Sequence, residues 1–342
     1  MKKNFILTDI MKTGHHWWYA QFLRYNSLKD EEIIICEDYY DLYQYDISKF
    51  DRKIALICGQ HDSKLNSTEY KNDLDLRIAK LKEKGFKFIL AHPWECAETA
   101  KDNKHIKLFS TISVGTWYGG SNWFWFYMYE KHHNKSFTFD HSVKKYDFLY
   151  LNKQKRVHRV SLYNELQTER CLDNSLYSFI GLEKPIRLDP AYEIPWIDTN
   201  NYPWVGRDQD MCEKPYNESC CNIVSESAVN EIFLTEKIWK PIIAEQMFVV
   251  HSSLGYLKTL QGLGFITFNN IIEESYDNET DPTQRIKKIV NTLKTIQSMD
   301  ARELYKKTED IRKHNKNNFF NKIEMSKSIN QTVLNFFTLY DQ

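Results

Sequence analysis

Residues 222–248 read NIVSESAVNEIFLTEKIWKPIIAEQMF. Ile223-Val224 has the apolar, β-branched character of a buried strand, and Ile232-Phe233-Leu234 is a strand-like approach to Thr235. Threonine is a good helix N-cap, so a helix is expected from Thr235 to Gln246, with Phe248-Val249-Val250 as the next strand. Strand, helix and strand in that order predict a βαβ unit and a parallel sheet. Unpaired amides at a helix start attract anions, and Lys237 adds a cation in the first turn, where the helix dipole alone favours acids. A lysine so placed suits a phosphate. Glu236 beside it can accept two hydroxyls of a ribose or another sugar. The plain alternative is a solvated Glu-Lys pair on an amphipathic helix.

The same pattern extends outward. Upstream, Asp147-Phe148-Leu149-Tyr150-Leu151 reads as a strand ending at Asn152, and Val157 to Arg170 as a helix. The loop between them, Lys153-Gln154-Lys155-Arg156, leads with His158 and Arg159 into that helix. This is a second cationic strand-to-helix junction, and Arg159 offers the bidentate grip that lysine lacks. Leu176 to Ile180 reads as a strand, Leu254 to Leu260 as a helix and Phe265 to Phe268 as a strand. Residues 182–221, with five of the eight prolines, read as an irregular insertion. From Pro282 the chain turns helical and charged, with amphipathic stretches at 283–297, 301–315 and 322–339. The first half alternates in the same way. Phe5-Ile6-Leu7, Ile33-Ile34-Ile35, Ile54 to Ile57 and Phe86 to Leu90 read as strands, with a helix over Glu69 to Lys84. The expected fold is therefore α/β, in two halves of 1–145 and 146–320, followed by a last helix over 321–342.

Composition narrows the function. Lys plus Arg and Asp plus Glu each number 46 of 342 residues, so net charge is zero and no global field holds a polyanion. Nine Trp, 21 Tyr and 20 Phe suit the stacking of flat ligands or sugar rings, with Trp17, Trp18, Trp117, Trp123 and Trp125 as candidates. Seven cysteines at 36, 58, 96, 171, 212, 220 and 221 include no CxxC pair, which predicts reduced thiols in a cytoplasmic protein and no zinc site. The N-terminal apolar run is too short for a signal peptide. Between Lys107 and Glu130 lie 22 uncharged residues. Gly119-Gly120 and several Ser, Thr and Asn interrupt them, so no transmembrane segment is expected. Asp73-Leu74-Asp75 and Asp208-Gln209-Asp210 are spaced as metal-binding triplets, but paired cations already neutralise a diphosphate and make a metal redundant.

The segment 222–248, together with LNKQKRVHRVSLYNEL at 151–166 and VVHSSLGYLKTLQGLGFITF at 249–268, resembles the donor-binding region of glycosyltransferase family 10, the α-1,3/4-fucosyltransferase group. The match covers residues 147–270. The resemblance implies a GT-B-like architecture, two Rossmann-like domains facing each other across a cleft. Residues 1–145 would then bind the acceptor and 146–320 the nucleotide sugar, with 321–342 packing back on the first domain. It implies that Arg159 and Lys237 hold the donor diphosphate, and Glu236 the ribose or transferred sugar. Phe233 stands where the family usually has Tyr, keeping a stacking face without its hydroxyl. Ser225-Glu226-Ser227 stands where the family commonly has Phe-Glu-Asn, so Glu226 keeps an acid and Ser227 replaces an amide. Glu95 is carried over by position as the general base. His15, His16, His92 and Asn152 are reserve candidates, as are His61 and Asp62.

These readings together imply a cytoplasmic, inverting, metal-independent glycosyltransferase of glycan biosynthesis, with a place at a membrane surface left open. It would move a sugar, fucose being the family's choice, from a nucleotide-diphosphate donor such as GDP-fucose to a glycan acceptor, without a cofactor. Two alternatives stand beside it: a phage-type transferase acting on nucleic-acid bases through the basic stripe Lys144 to Arg159, and a non-catalytic sugar-nucleotide-binding module.

Overall fold

The computed structural model describes the strand residues 5–9, 33–36, 54–58, 87–90 and 106–108, the helical residues Ala79 and Glu83, and residues 139–192, 211–230, 232 and 234–321. The chain divides into two compact units. One comprises Met1–Phe124 with Lys322–Gln342, and the other Trp125–Asn321. The division falls earlier than the expected boundary at residue 146.

The first unit holds β1 (Phe5–Asp9), β2 (Ile33–Cys36), β3 (Ile54–Cys58), β4 (Lys87–Leu90) and β5 (Ile106–Leu108). All pair in parallel, in the order β2-β1-β3-β4-β5. Four of these strands coincide with the expected apolar runs. β5, with Lys107 at its centre, was not expected.

The second unit carries β6 (Tyr146–Asn152), α1 (Val157–Thr168), β7 (Ser175–Phe179), α2 (Glu213–Glu218) and β8 (Ser219–Ser225). These are followed by α3 (Glu236–Ile243), β9 (Met247–His251), α4 (Tyr256–Gly262), α5 (Pro282–Ser298), α6 (Ala301–Lys307) and α7 (Glu309–Phe319). Its sheet is parallel throughout, in the order β7-β6-β8-β9. Strands buried on both faces read as near-continuous apolar runs, which is why Phe148-Leu149-Tyr150 and Phe248-Val249-Val250 were visible in the sequence. In each sheet the strand order reverses beside its first strand, and such a switch point opens a crevice at the carboxyl ends of the strands flanking it. In the second sheet those strands are β6 and β8.

Three expectations are corrected here. β8 begins at Ser219 rather than at Ile223, inside what read as an irregular insertion, and all seven of its residues are buried. Its first half, Ser-Cys-Cys-Asn, carries no β-branched residue and so hides a strand. Phe265 to Phe268 forms no strand; Phe265 instead packs on Trp239 at 5.6 Å between ring centres, and Phe268 on Phe248 at 5.0 Å. The single helix expected over 301–315 is two, broken at Thr308. Thr308 turns its hydroxyl back to the carbonyls of Leu304 and Tyr305, both at 3.0 Å, and accepts from Arg312 at 3.2 Å. Side-chain bonds of this kind compete with helical continuation. The last expected helix, 322–339, and the aromatic stretch from residue 109 to 129 lie outside the described residues. Among the described residues no helix is long and apolar enough to cross a membrane.

Candidate functional site

β8 and β9 end level with one another, Ser225 being the register partner of His251. β6 pairs with β8 as far as Leu149 and Asn222 and runs on to Asn152. Beyond this row the chain turns into the two cationic helix starts.

Glu226, the residue after β8, ties them together. Its main-chain carbonyl accepts from Arg159 Nη2 at 3.1 Å and lies 3.0 Å from His158 Nε2. Its N–H donates to the His251 carbonyl at 3.1 Å. Its carboxylate is fully buried. One oxygen accepts from the Thr235 N–H at 3.2 Å and the Tyr256 hydroxyl at 2.7 Å. The other accepts from the Thr235 hydroxyl at 2.6 Å and the Ser227 N–H at 3.3 Å. Burial pushes this carboxyl above its ordinary range, while Lys237, Thr235 and Tyr256 pull it back. Four donors meet the Glu226 carboxylate. Its place in the site is to hold α1, α3 and the end of β9 in one arrangement.

Thr235 is the N-cap of α3, as its residue type predicts. Its Oγ1 accepts from the Lys237 N–H at 3.3 Å and from Lys237 Nζ at 3.2 Å. Lys237 also pairs with Glu236. Burial would raise the Glu236 carboxyl, but Lys237, Lys240 and its own N–H outweigh it, so Glu236 ionises below its usual range. Both side chains remain partly exposed, at 24% for Lys237 and 18% for Glu236. They are the reachable part of this junction.

Arg159 reaches the same point from α1. Its side chain is 2% exposed, and its guanidinium is pulled down by burial and by Arg156 while Glu226 and Glu236 pull it up. An arginine stays protonated through such shifts. Arg156 donates to the Ser227 carbonyl at 2.5 Å. The first turn of α1 contains no acid, and no side chain caps it. Gly181 lets the β6–α1 loop pass close by: a Cβ there would stand 2.6 Å from the Lys153 carbonyl oxygen and 2.7 Å from the Lys155 nitrogen.

The structure thus brings Arg159, Glu226, Ser227, Glu236 and Lys237 together, with Asn152 at the strand end beneath them. Phe233, Glu95, His15, His16, His61, Asp62 and His92 lie outside the described residues, as do both Asp-x-Asp triplets. Sequence reasoning named His158 and Ser225 without giving either a role, and missed His251, Ser253 and Tyr256. The signal for Ser225, His251 and Ser253 was a polar residue ending or following each buried strand, Asn152, Ser225 and His251-Ser252-Ser253 among them. Burial, with His158, Arg285 and Arg159 nearby, pushes His251 down to about 3, so this imidazole is neutral at ordinary pH. Its ring meets that of His158 edge-on at 5.7 Å.

The basic stripe Lys144 to Arg159 is not one surface. β6 separates its two ends by about 23 Å at roughly 3.3 Å per strand residue. At the amino end Lys144 donates to the Tyr216 carbonyl at 3.1 Å and Lys145 to Glu218 at 2.8 Å. Cys171, Cys212, Cys220 and Cys221 are free thiols, and among the described residues no group of three His, Cys, Asp or Glu is arranged to hold a metal.

No protein-family model matches the sequence. No curated protein matches it either. Among solved structures the chain is similar to one described as "Crystal Structure of alpha1,3-Fucosyltransferase", with a TM-score of 0.44 and 8% identity over 100% of this chain and 91% of that chain. A likeness this slight fixes neither fold nor function.

Proposed function

We propose that the chain is a glycosyltransferase whose second unit binds a nucleotide-diphosphate sugar at the carboxyl ends of β6 and β8. The observation that carries this reading is the approach of two cations to Glu226, Arg159 by a hydrogen bond to its carbonyl and Lys237 through Thr235, each from the start of a helix that follows a parallel strand. Two fixed cations and two helix starts suit a diphosphate, and the partly exposed Glu236 suits a ribose or sugar hydroxyl. In the reaction an acceptor hydroxyl of a glycan displaces the diphosphate at the anomeric carbon with inversion. Glu95 takes the hydroxyl proton, and the charge that grows on the leaving phosphate meets Lys237, with the buried charge of Arg159 behind it. Two such cations leave no electrostatic need for a metal. GDP-fucose is the donor suggested by the family resemblance, and the cytoplasm is the expected compartment.

The test is a thermal-shift panel of nucleotide sugars with and without EDTA, repeated on Lys237→Ala. A ligand selective for the folded state raises Tm by mass action. Stabilisation by one nucleotide sugar, indifferent to EDTA and lost in the variant, supports the reading and names the sugar. Binding without transfer or slow donor hydrolysis favours a non-catalytic module, and silence across the panel rejects both.

A further inference from the structure

The final row of the second sheet is polar in its middle and at one edge. Ser225 and His251 are register partners at the ends of β8 and β9, and Asn152 ends the adjacent strand β6. Neighbours in a parallel sheet face the same way, and the contact of His251 with His158 shows that this face lies under the first turn of α1. Asn152, Ser225, His251 and Ser253 are each 3–4% exposed. By hydrogen-bond geometry the two amide atoms of Asn152, the hydroxyls of Ser225 and Ser253, Nδ1 of His251 and Nε of Arg159 are closed off from solvent and unpartnered, with the Tyr150 hydroxyl the one side-chain group that interacts with the Asn152 amide. Among the described residues only one other side-chain atom shares this condition, the indole nitrogen of Trp239 in the aromatic core. Buried polar atoms without partners are rare, and here they gather at the carboxyl edge of three adjacent strands.

The chemistry of the set limits its ligand. Asn152 Oδ1 accepts only, Arg159 Nε and Asn152 Nδ2 donate only, and the two hydroxyls do both. An anion would satisfy the donors and oppose the amide oxygen. A cation would face the charges of Arg159 and Arg285, both felt by His251. A species that donates and accepts, and is small enough to sit where no atom reaches solvent, meets every member. We infer that Asn152, Ser225, His251, Ser253 and Arg159 Nε enclose a cluster of ordered water, a hydration site built into the sheet beneath α1. Water there bridges the inner edge of the Arg159 guanidinium to the strand ends while Nη2 is held by the Glu226 carbonyl. The inference requires no nucleotide sugar, so it stands or falls separately from the proposed reaction.

A sign test separates a wet row from a dry one. Deleting the hydroxyl of a dry, unpartnered serine removes an uncompensated polar group, so Ser225→Ala and Ser253→Ala would each leave Tm unchanged or raised. Where the hydroxyl anchors water, each substitution instead lowers Tm, by about 2–4 °C for a loss near that of one hydrogen bond. A crystal structure of the full chain decides the matter directly, whatever the variants' folding yield. The expected result is water density within hydrogen-bonding distance of Asn152, Ser225 and His251. Side chains that instead bond one another, or a site with no density, would overturn the inference.

Discussion

The guanidinium of Arg159 donates to the main-chain carbonyl of Glu226 at 3.1 Å, not to its carboxylate. The carboxylate turns the other way, to Thr235 and Tyr256. One residue thereby joins α1 through its backbone and α3 and α4 through its side chain. Around this point the cations Arg159 and Lys237 stand against the acids Glu226 and Glu236.

Arg159→Lys is expected to behave as a large change. A lysine has the charge but not the planar fork, and its compact ammonium is costlier to desolvate at a site that is 2% exposed. Loss of the charged hydrogen bond to Glu226 should lower stability by about 1.5–3 kcal/mol in chemical denaturation. Nucleotide-sugar affinity should fall with it. A variant with unchanged denaturation midpoint would show that Arg159 does not hold the junction.

Thr235 serves as N-cap, as donor to Glu226 and as acceptor for Lys237. Thr235→Ala loses all three, and about 1–3 kcal/mol of stability is expected to go with them. Thr235→Ser keeps the hydroxyl and should recover most of it. Comparing both variants by urea unfolding distinguishes the hydroxyl from the methyl: equal losses would assign the effect to packing.

How much of this was legible beforehand depended on range. The junctions around Arg159 and Thr235 are local patterns, a strand end followed by cations and a capping residue, and both were read from the sequence. The apolar cores of β6 and β9 were legible for the same reason. Ser219 to Asn222 was not, because two thiols, a serine and an amide carry no strand signature even when fully buried. Nor could the alignment of Ser225 with His251 be read. Each is an ordinary polar residue at a strand boundary, and only the pairing register sets them level. The fourfold grip on Glu226 was hidden likewise, since Tyr256 lies 30 residues away in the chain.

Two buried groups should give stability opposing dependences on pH. His251 titrates near 3 in the folded chain, against 6.5 when unconstrained, chiefly through burial. The unfolded chain then binds the extra proton between those values, so this contribution is lost as pH falls from 6.5 toward 3. Burial pushes Glu274 the other way, from 4.5 up to about 7. The folded chain holds its proton longer, so that contribution is lost as pH rises from 4.5 to 7. Between 4.5 and 6.5 the two trends oppose one another. Glu274→Gln should unmask the histidine: the stability of the variant relative to the parent should rise across 4.5 to 7, by on the order of 3 kcal/mol at full shift. Unfolding free energies measured at several pH values would show this, and a parallel pair of curves would refute it.

Gly181 marks a close backbone approach that no side chain fits. A Cβ at this position would lie within 2.6 Å of the Lys153 carbonyl and 2.7 Å of the Lys155 nitrogen, both backbone atoms that cannot rotate aside. Gly181→Ala must therefore move the β6–α1 loop or the turn after β7. The Ile180 N–H, bonded to the Asn152 carbonyl at 3.0 Å, lies next to the strain. A cost of about 1–3 kcal/mol is expected, as for overpacking elsewhere. Because the displaced loop leads directly into Arg156 and Arg159, affinity for an anionic ligand should fall further than stability alone explains. Isothermal titration well below the melting temperature checks this, since the folded fraction is then complete and any loss of affinity belongs to the loop. Unchanged affinity in a destabilised variant would show that the loop accommodates the methyl without moving the arginines.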